Sequence, residues 1–331
     1  MGDMMKDGQV WGRAGIAIVT ALIMCMMGAG AYAISPEQYR SALEENVEAY
    51  SDTRNWRKVA GQLCADETGV RDGEGVFTIT DDAGNDYLTT GATQLSISGS
   101  VRDGEVVSIS VRLKPTDGLT REYEYQAFSI SEIAFESLLS PRAAYSDMSA
   151  YLFLYDVYPY AMWARDSEFG DNSRSLDTAL GGTRYSIRSS SQSNGGVLSL
   201  DVEIMGEADD EDEAAARTNL NANYALESIC SLVYELDVCK NTCLTLVKRG
   251  DEGDSDKLDS MLGDMRTCAQ EYYALGAQDY DKLEKLTDRL APEFDNMLDA
   301  IDQLSETPDE DAAEELKDAV TDMCSALKVM Y

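Results

Sequence analysis

Residues 94–114 read QLSISGSVRDGEVVSISVRLK. Leu95 and Ile97, then Val107, Ile109 and Val111, alternate with short polar residues at the period of a half-buried strand. Between the two runs lies Arg102-Asp103-Gly104-Glu105. Asp-Gly is the strongest short hairpin signal, because a type I′ turn needs positive φ at both central positions. The stretch therefore predicts an antiparallel hairpin with one apolar and one polar face.

The same pattern extends on both sides. Upstream, Val76 to Thr80 and Tyr87 to Thr90 flank the turn-forming cluster Asp81-Asp82-Ala83-Gly84-Asn85-Asp86. Downstream, Arg121 to Phe128 reads as a further strand. Ser129 and Glu132 form a capping box that opens a short helix, stopped by Pro141. A last hairpin joins Arg184–Ser189 to Val197–Met205 across Ser193-Asn194-Gly195-Gly196. Ahead of all this, Tyr39, Leu43, Val47 and Tyr50 recur at helical spacing from Ser35, and Trp56, Val59 and Leu63 resume the pattern toward Cys64. Helix, meander, helix and hairpin predict an α+β layer, an antiparallel sheet covered on one face by helices, over residues 34–205.

Residues 206–331 have another character. The acidic run Glu207–Glu213 reads as a linker, and the region carries 32 acidic against 11 basic residues, a net of −21 out of −34 for the chain. Four apolar stripes follow at steps of three and four: Ile229 to Leu246, ending at Gly250; Leu258 to Tyr272; Leu283 to Leu304, through Pro292; and Leu316 to Met330, behind the start Thr307-Pro308-Asp309-Glu310. Four amphipathic helices with short connections predict an up-down bundle with an acidic exterior.

Residues 1–33 form the remaining region. Ala14 to Gly30 is an uncharged run, AGIAIVTALIMCMMGAG, ending in Ala31-Tyr32-Ala33, the small-x-small pattern of signal peptidase sites. Ser35, Pro36 and Gln38 then supply a helix start directly after it. Residues 1–33 are expected to be a signal peptide, or a retained anchor formed by residues 14–34. The destination is extracytoplasmic, either secreted or tethered in the cell envelope. Membrane contact is expected only through this segment.

Composition excludes several chemistries. The 331 residues contain no histidine, which removes Ser-His-Asp and Cys-His nucleophiles and histidine metal ligands. A net charge of −34 repels phosphate backbones, so nucleic acid is not an expected partner. No phosphate loop, nucleophile elbow or dinucleotide fingerprint is present. Calcium is the one cofactor with any sequence support, from Asp251, Asp254, Asp256 and Asp259 and from Asp81, Asp82, Asn85 and Asp86. Neither group has EF-hand spacing.

Two features single out residues. The stretch from Tyr145 to Trp163 concentrates rings, and Tyr151, Tyr155, Tyr158, Tyr160 and Trp163 are the candidate ligand surface, since flat rings with polar edges suit sugars and peptides. Beyond the leader, Cys64, Cys230, Cys239, Cys243, Cys268 and Cys324 form an even set in an exported chain. If the first two bundle helices pair about the loop 250–255, Cys239 and Cys268 fall opposite each other, making them the expected disulfide. These features lead to the expectation of a non-enzymatic binding or interaction protein with a protein or glycan partner. The alternative is a carboxylate-dependent hydrolase such as a glycosidase, which needs only two carboxylates.

Overall fold

In the computed structural model the described residues are 34–49, 65–80, 93–115, 121–139, 146–158, 172–192, 197–278 and 280–328. They form an antiparallel sheet with covering helices, followed by four long helices packed together. This is the α+β-plus-bundle class expected from the sequence. They group into two compact units. One holds the described residues up to Ala150 and from Asp171 to Glu213; the other holds those from Tyr151 to Gly170 and from Ala214 onward.

In the first unit, helix α1 (Pro36–Ala49) precedes strands β1 (Ala65–Thr68), β2 (Gly75–Thr80), β3 (Thr93–Arg102) and β4 (Glu105–Pro115). Helices α2 (Arg121–Glu136) and α3 (Ser146–Leu152) come next, and α3 runs directly into a π-helical turn, Phe153–Val157. Strands β5 (Asn172–Leu180), β6 (Thr183–Gln192) and β7 (Val197–Glu207) complete the sheet, in the order β1-β2-β3-β4-β7-β6-β5 with every pairing antiparallel.

The predicted capping box at the start of α1 is formed: Ser35 N donates to Gln38 Oε1 at 2.9 Å, and Gln38 N donates to Ser35 Oγ at 3.2 Å. The Asp103-Gly104 turn joins β3 to β4 with φ of 53° and 83°, the positive pair that a type I′ hairpin demands. Gly181 and Gly182, at 61° and 78°, do the same between β5 and β6.

Helices α1 and α2 cover the apolar face of the sheet. Tyr39, Leu43 and Val47 of α1 and Ile130, Ile133 and Ala134 of α2 are buried along with Ile97, Ile109, Val111, Ile187, Leu200 and Val202 of the strands. The fully buried Tyr39 hydroxyl donates to the Ala134 carbonyl at 3.1 Å, and its ring lies 5.7 Å from that of Phe77.

Two expectations are corrected. Residues Arg121 to Phe128 are the first half of α2, not a strand. The Tyr123/Tyr125 alternation mimics a strand, but Glu, Gln and Ala favour helix, and the stripe Ile130, Ile133, Ala134 continues the turn. Glu132 is accordingly inside the helix and buried, rather than part of a cap. The acidic run is no linker either: Glu207 ends β7 and Asp209 caps α4 (Asp210–Arg249). Asp209 Oδ1 accepts from Glu211 N and Asp212 N at 3.0 and 2.9 Å, and Asp209 N donates to Asp212 Oδ2 at 3.2 Å. Negative charge at a helix N-terminus is stabilised by the helix dipole, which accounts for the acidic composition there.

In the second unit, α4 is followed by α5 (Asp254–Gly276), α6 (Asp281–Glu306) and α7 (Glu310–Lys328). Their stripes close one core, with Leu236, Cys243, Leu262, Leu290, Phe294, Ile301, Leu316 and Met323 among the residues wholly shielded. Gly250, at φ 60°, stops α4, and α6 runs unbroken through Pro292. Contacts between neighbouring helices fix the up-down order: Lys248 meets Glu314 at 3.2 Å, and Arg266 meets Asp302 at 2.8 Å. Among the described residues no helix is long and apolar enough to cross a membrane. Residues 1–33 and Cys64 lie outside them.

Candidate functional site

The uncovered face of the sheet is built from the polar half of the alternation. Ser98 of β3 stands opposite Ser110 of β4, Ser110 opposite Asp201 of β7, and Asp201 opposite Arg188 of β6. The next row runs Ser100, Ser108, Glu203, Ser186. Short side chains at the centre leave a shallow groove of about 460 Å³, edged by Arg102 and Arg188 as well as by the two carboxylates. Arg112 reaches Asp201 at 3.9 Å with both side chains exposed, a weak pairing. On the groove's floor the Ser110 hydroxyl oxygen is shielded from solvent and has no hydrogen-bond partner among the described residues. An unused buried hydroxyl is costly.

The sequence-predicted rings are placed elsewhere. Tyr155 and Tyr158 are buried, and Tyr151 is half-buried with its ring 3.9 Å from that of Tyr224 on α4. Tyr155 belongs to the bundle core, and Tyr151 and Leu154 pack on it. Tyr160 and Trp163 lie outside the described residues, as do Asp81, Asp82, Asn85 and Asp86.

Cys239 of α4 and Cys268 of α5 are both partly buried and pack against the bundle core. The Cys268 thiol lies 3.9 Å from Glu235, one turn before Cys239. Burial and then the Glu235 carboxylate push the Cys268 thiol up to about 12, and burial also raises that of Cys239. Both are present as free thiols.

Asp254, part of the aspartate cluster considered for calcium, is buried and held by Arg249 Nε at 2.7 Å, with Lys257 Nζ at 3.4 Å; the Arg249 contact keeps it well below the usual carboxylate range. Among the described residues no group of three or more thiol or carboxylate side chains is arranged to hold a metal ion.

Two polar clusters, one buried and one half-buried, had no sequence signal. Glu132 and Glu136, one turn apart on α2, meet the Ser149 hydroxyl of α3, with the Glu132 contact at 3.4 Å. Asp156 of the π-helical turn meets Asn219 and Asn223 of α4 and Lys282 of α6. Their members are up to 126 residues apart, beyond any local pattern. No family model, curated protein or solved structure matches the chain.

Proposed function

We propose that this is an exported, non-enzymatic interaction protein that binds a polar partner, a glycan or an extended peptide, across the open face of its sheet. The observation that carries the reading is the groove around Ser110: a concave, uncovered surface with serine hydroxyls, two arginines and two carboxylates, and an unused buried hydroxyl at its floor. In a chain with net charge −34, this face presents cations beside anions in register, which limits repulsion of an acidic partner.

The acidic bundle then serves as a spacer or second interaction element. The apolar segment ahead of Ser35 supports export or tethering in the cell envelope. In that oxidising space Cys239 and Cys268 join as a disulfide across α4 and α5. Intact-mass measurement of the protein from its source cell reports leader removal and the loss of two hydrogens per disulfide. A full-length mass with all thiols intact would overturn both cleavage and pairing.

Binding is tested by applying labelled protein to a glycan microarray and an extended-peptide array, beside a Ser110→Tyr variant that fills the groove and an Arg188→Glu variant. Retained ligands that both variants lose are the expected result. Ligands held equally by Ser110→Tyr would move the site off the sheet.

A second reading, a carboxylate-dependent hydrolase, is favoured by one observation. Asp201 and Glu203 are two residues apart on the same side of β7 and both line the groove, the kind of neighbouring carboxylate pair that glycosidases use. Hydrolysis of an array glycan, abolished by both Asp201→Asn and Glu203→Gln, would replace the first reading with this one.

A further inference from the structure

The bundle closes almost entirely through apolar side chains, and one of its few buried polar residues, Asn223, lies where a fifth element joins it. That element is the end of α3 with its π-helical turn, a rare geometry concentrated at functional positions. The Asp156 carboxylate accepts from Asn219 Nδ2 at 2.7 Å and Asn223 Nδ2 at 2.8 Å, and it pairs with Lys282. Lys282 also donates to the side-chain carbonyl oxygens of both asparagines, and Asn223 Nδ2 reaches the Tyr151 carbonyl at 3.3 Å. One carboxylate thus gathers α4, α6 and the turn.

What the turn covers is specific. Cys230, Tyr234 and Val238 are successive i, i+4 positions on one side of α4. Tyr234 and Val238 are 44% and 54% exposed, whereas Cys230 is only 3% exposed. The difference is Tyr155, which packs in the same cluster and hydrogen-bonds to the Cys230 thiol. Tyr155 is the residue beside Asp156.

We propose that residues 151–158 form a strap on the bundle, latched by Asp156 to Asn219, Asn223 and Lys282, and that the strap governs chemical access to the Cys230 thiol beneath it. Tyr151, Leu154 and Tyr155 of the strap pack with the bundle core, and Leu152, Phe153, Val157 and Tyr158 are buried as well, so the motion that matters is the local unseating of Tyr155 from Cys230. Removing one member of this partly buried ion pair leaves the other charge without its partner, so the latch holds the residue next to Tyr155 in place.

The test is the rate of alkylation by N-ethylmaleimide in the folded, reduced full chain, mapped to each cysteine by peptide mass. Asp156→Asn and Lys282→Met are both expected to speed labelling of Cys230 by at least about tenfold, while the fully buried Cys243 keeps its rate. If Lys282→Met does not fold, Asp156→Asn, which keeps the side-chain shape, decides alone. An unchanged Cys230 rate, or Cys230 and Cys243 speeding up together, would overturn the strap.

Discussion

Gly99 shows how closely single residues fix this sheet. It pairs across the strands with Phe77, and a Cβ at position 99 would stand 2.1 Å from the Phe77 ring. The glycine is there so that the aromatic ring can lie over the backbone of β3. Gly99→Ala is expected to cost about 1–3 kcal/mol through overpacking, read as a lower urea midpoint at unchanged slope. A midpoint equal to the parent's would show that the ring moves freely. Arg249 and Asp254 give a pH signature. The folded Asp254 pKa lies below its unfolded value near 3.9, so its contribution is complete above that pH and is lost as pH falls toward the folded value. The melting-temperature gap between the parent and Arg249→Met should be present at pH 7 and close progressively below about pH 4. A gap that stays constant to pH 3 would assign the effect to packing instead.

Among the elements, legibility followed the range of the interactions. The hairpin 94–114 was readable because its turn residues and alternation are local. So were the four bundle stripes and the Ser35 cap. The beginning of α2 reads as a strand because eight residues with two alternating tyrosines carry no more helix signal than strand signal, and the helix is set by the stretch that follows, Ile130, Ile133 and Ala134. Strand β5 was not anticipated: Asn172 to Leu180 holds few apolar residues, and its pairing with β6 depends on the Gly181-Gly182 turn. The serines of the groove were visible as the polar half of an alternation, yet nothing in that pattern says that Ser110 would lie at its floor. The acidic run at 207–213 was read by composition, whereas its role depends on which aspartate takes the cap. Asp209→Ala is expected to lower stability by about 1 kcal/mol, measured by chemical denaturation. Asp210→Ala, one residue further on, should have a smaller effect, and equal losses would remove Asp209 from the capping role.

Across the whole molecule charge dominates. Of the net −34, −21 falls on residues 206–331, most of it on the outer faces of helices whose apolar stripes are turned inward. Cross-helix pairs such as Lys248–Glu314 and Arg266–Asp302 are exposed and few against that excess. Repulsion screened by salt should outweigh attraction screened by salt, since the Debye length falls from about 10 Å at 0.1 M to about 3 Å at 1 M. The melting temperature is therefore expected to rise when sodium chloride is increased over that range. A fall would mean that the few ion pairs contribute more than the excess charge removes.

The chain path has a consequence for anyone who would divide the protein. Its two units are interleaved rather than consecutive, because the described residues 151–158 group with the helices while described residues before and after them in the sequence belong to the sheet unit. No single scission separates them. A fragment starting at 206 would lose Asp156 and Tyr155, leave the Lys282 ammonium facing two amides, and uncover the α4 surface around Cys230. The complementary fragment would keep Tyr151, Leu154 and Tyr155 without the bundle core they pack with. The natural way to excise the bundle is as two pieces of chain, one of them a short peptide supplied in trans.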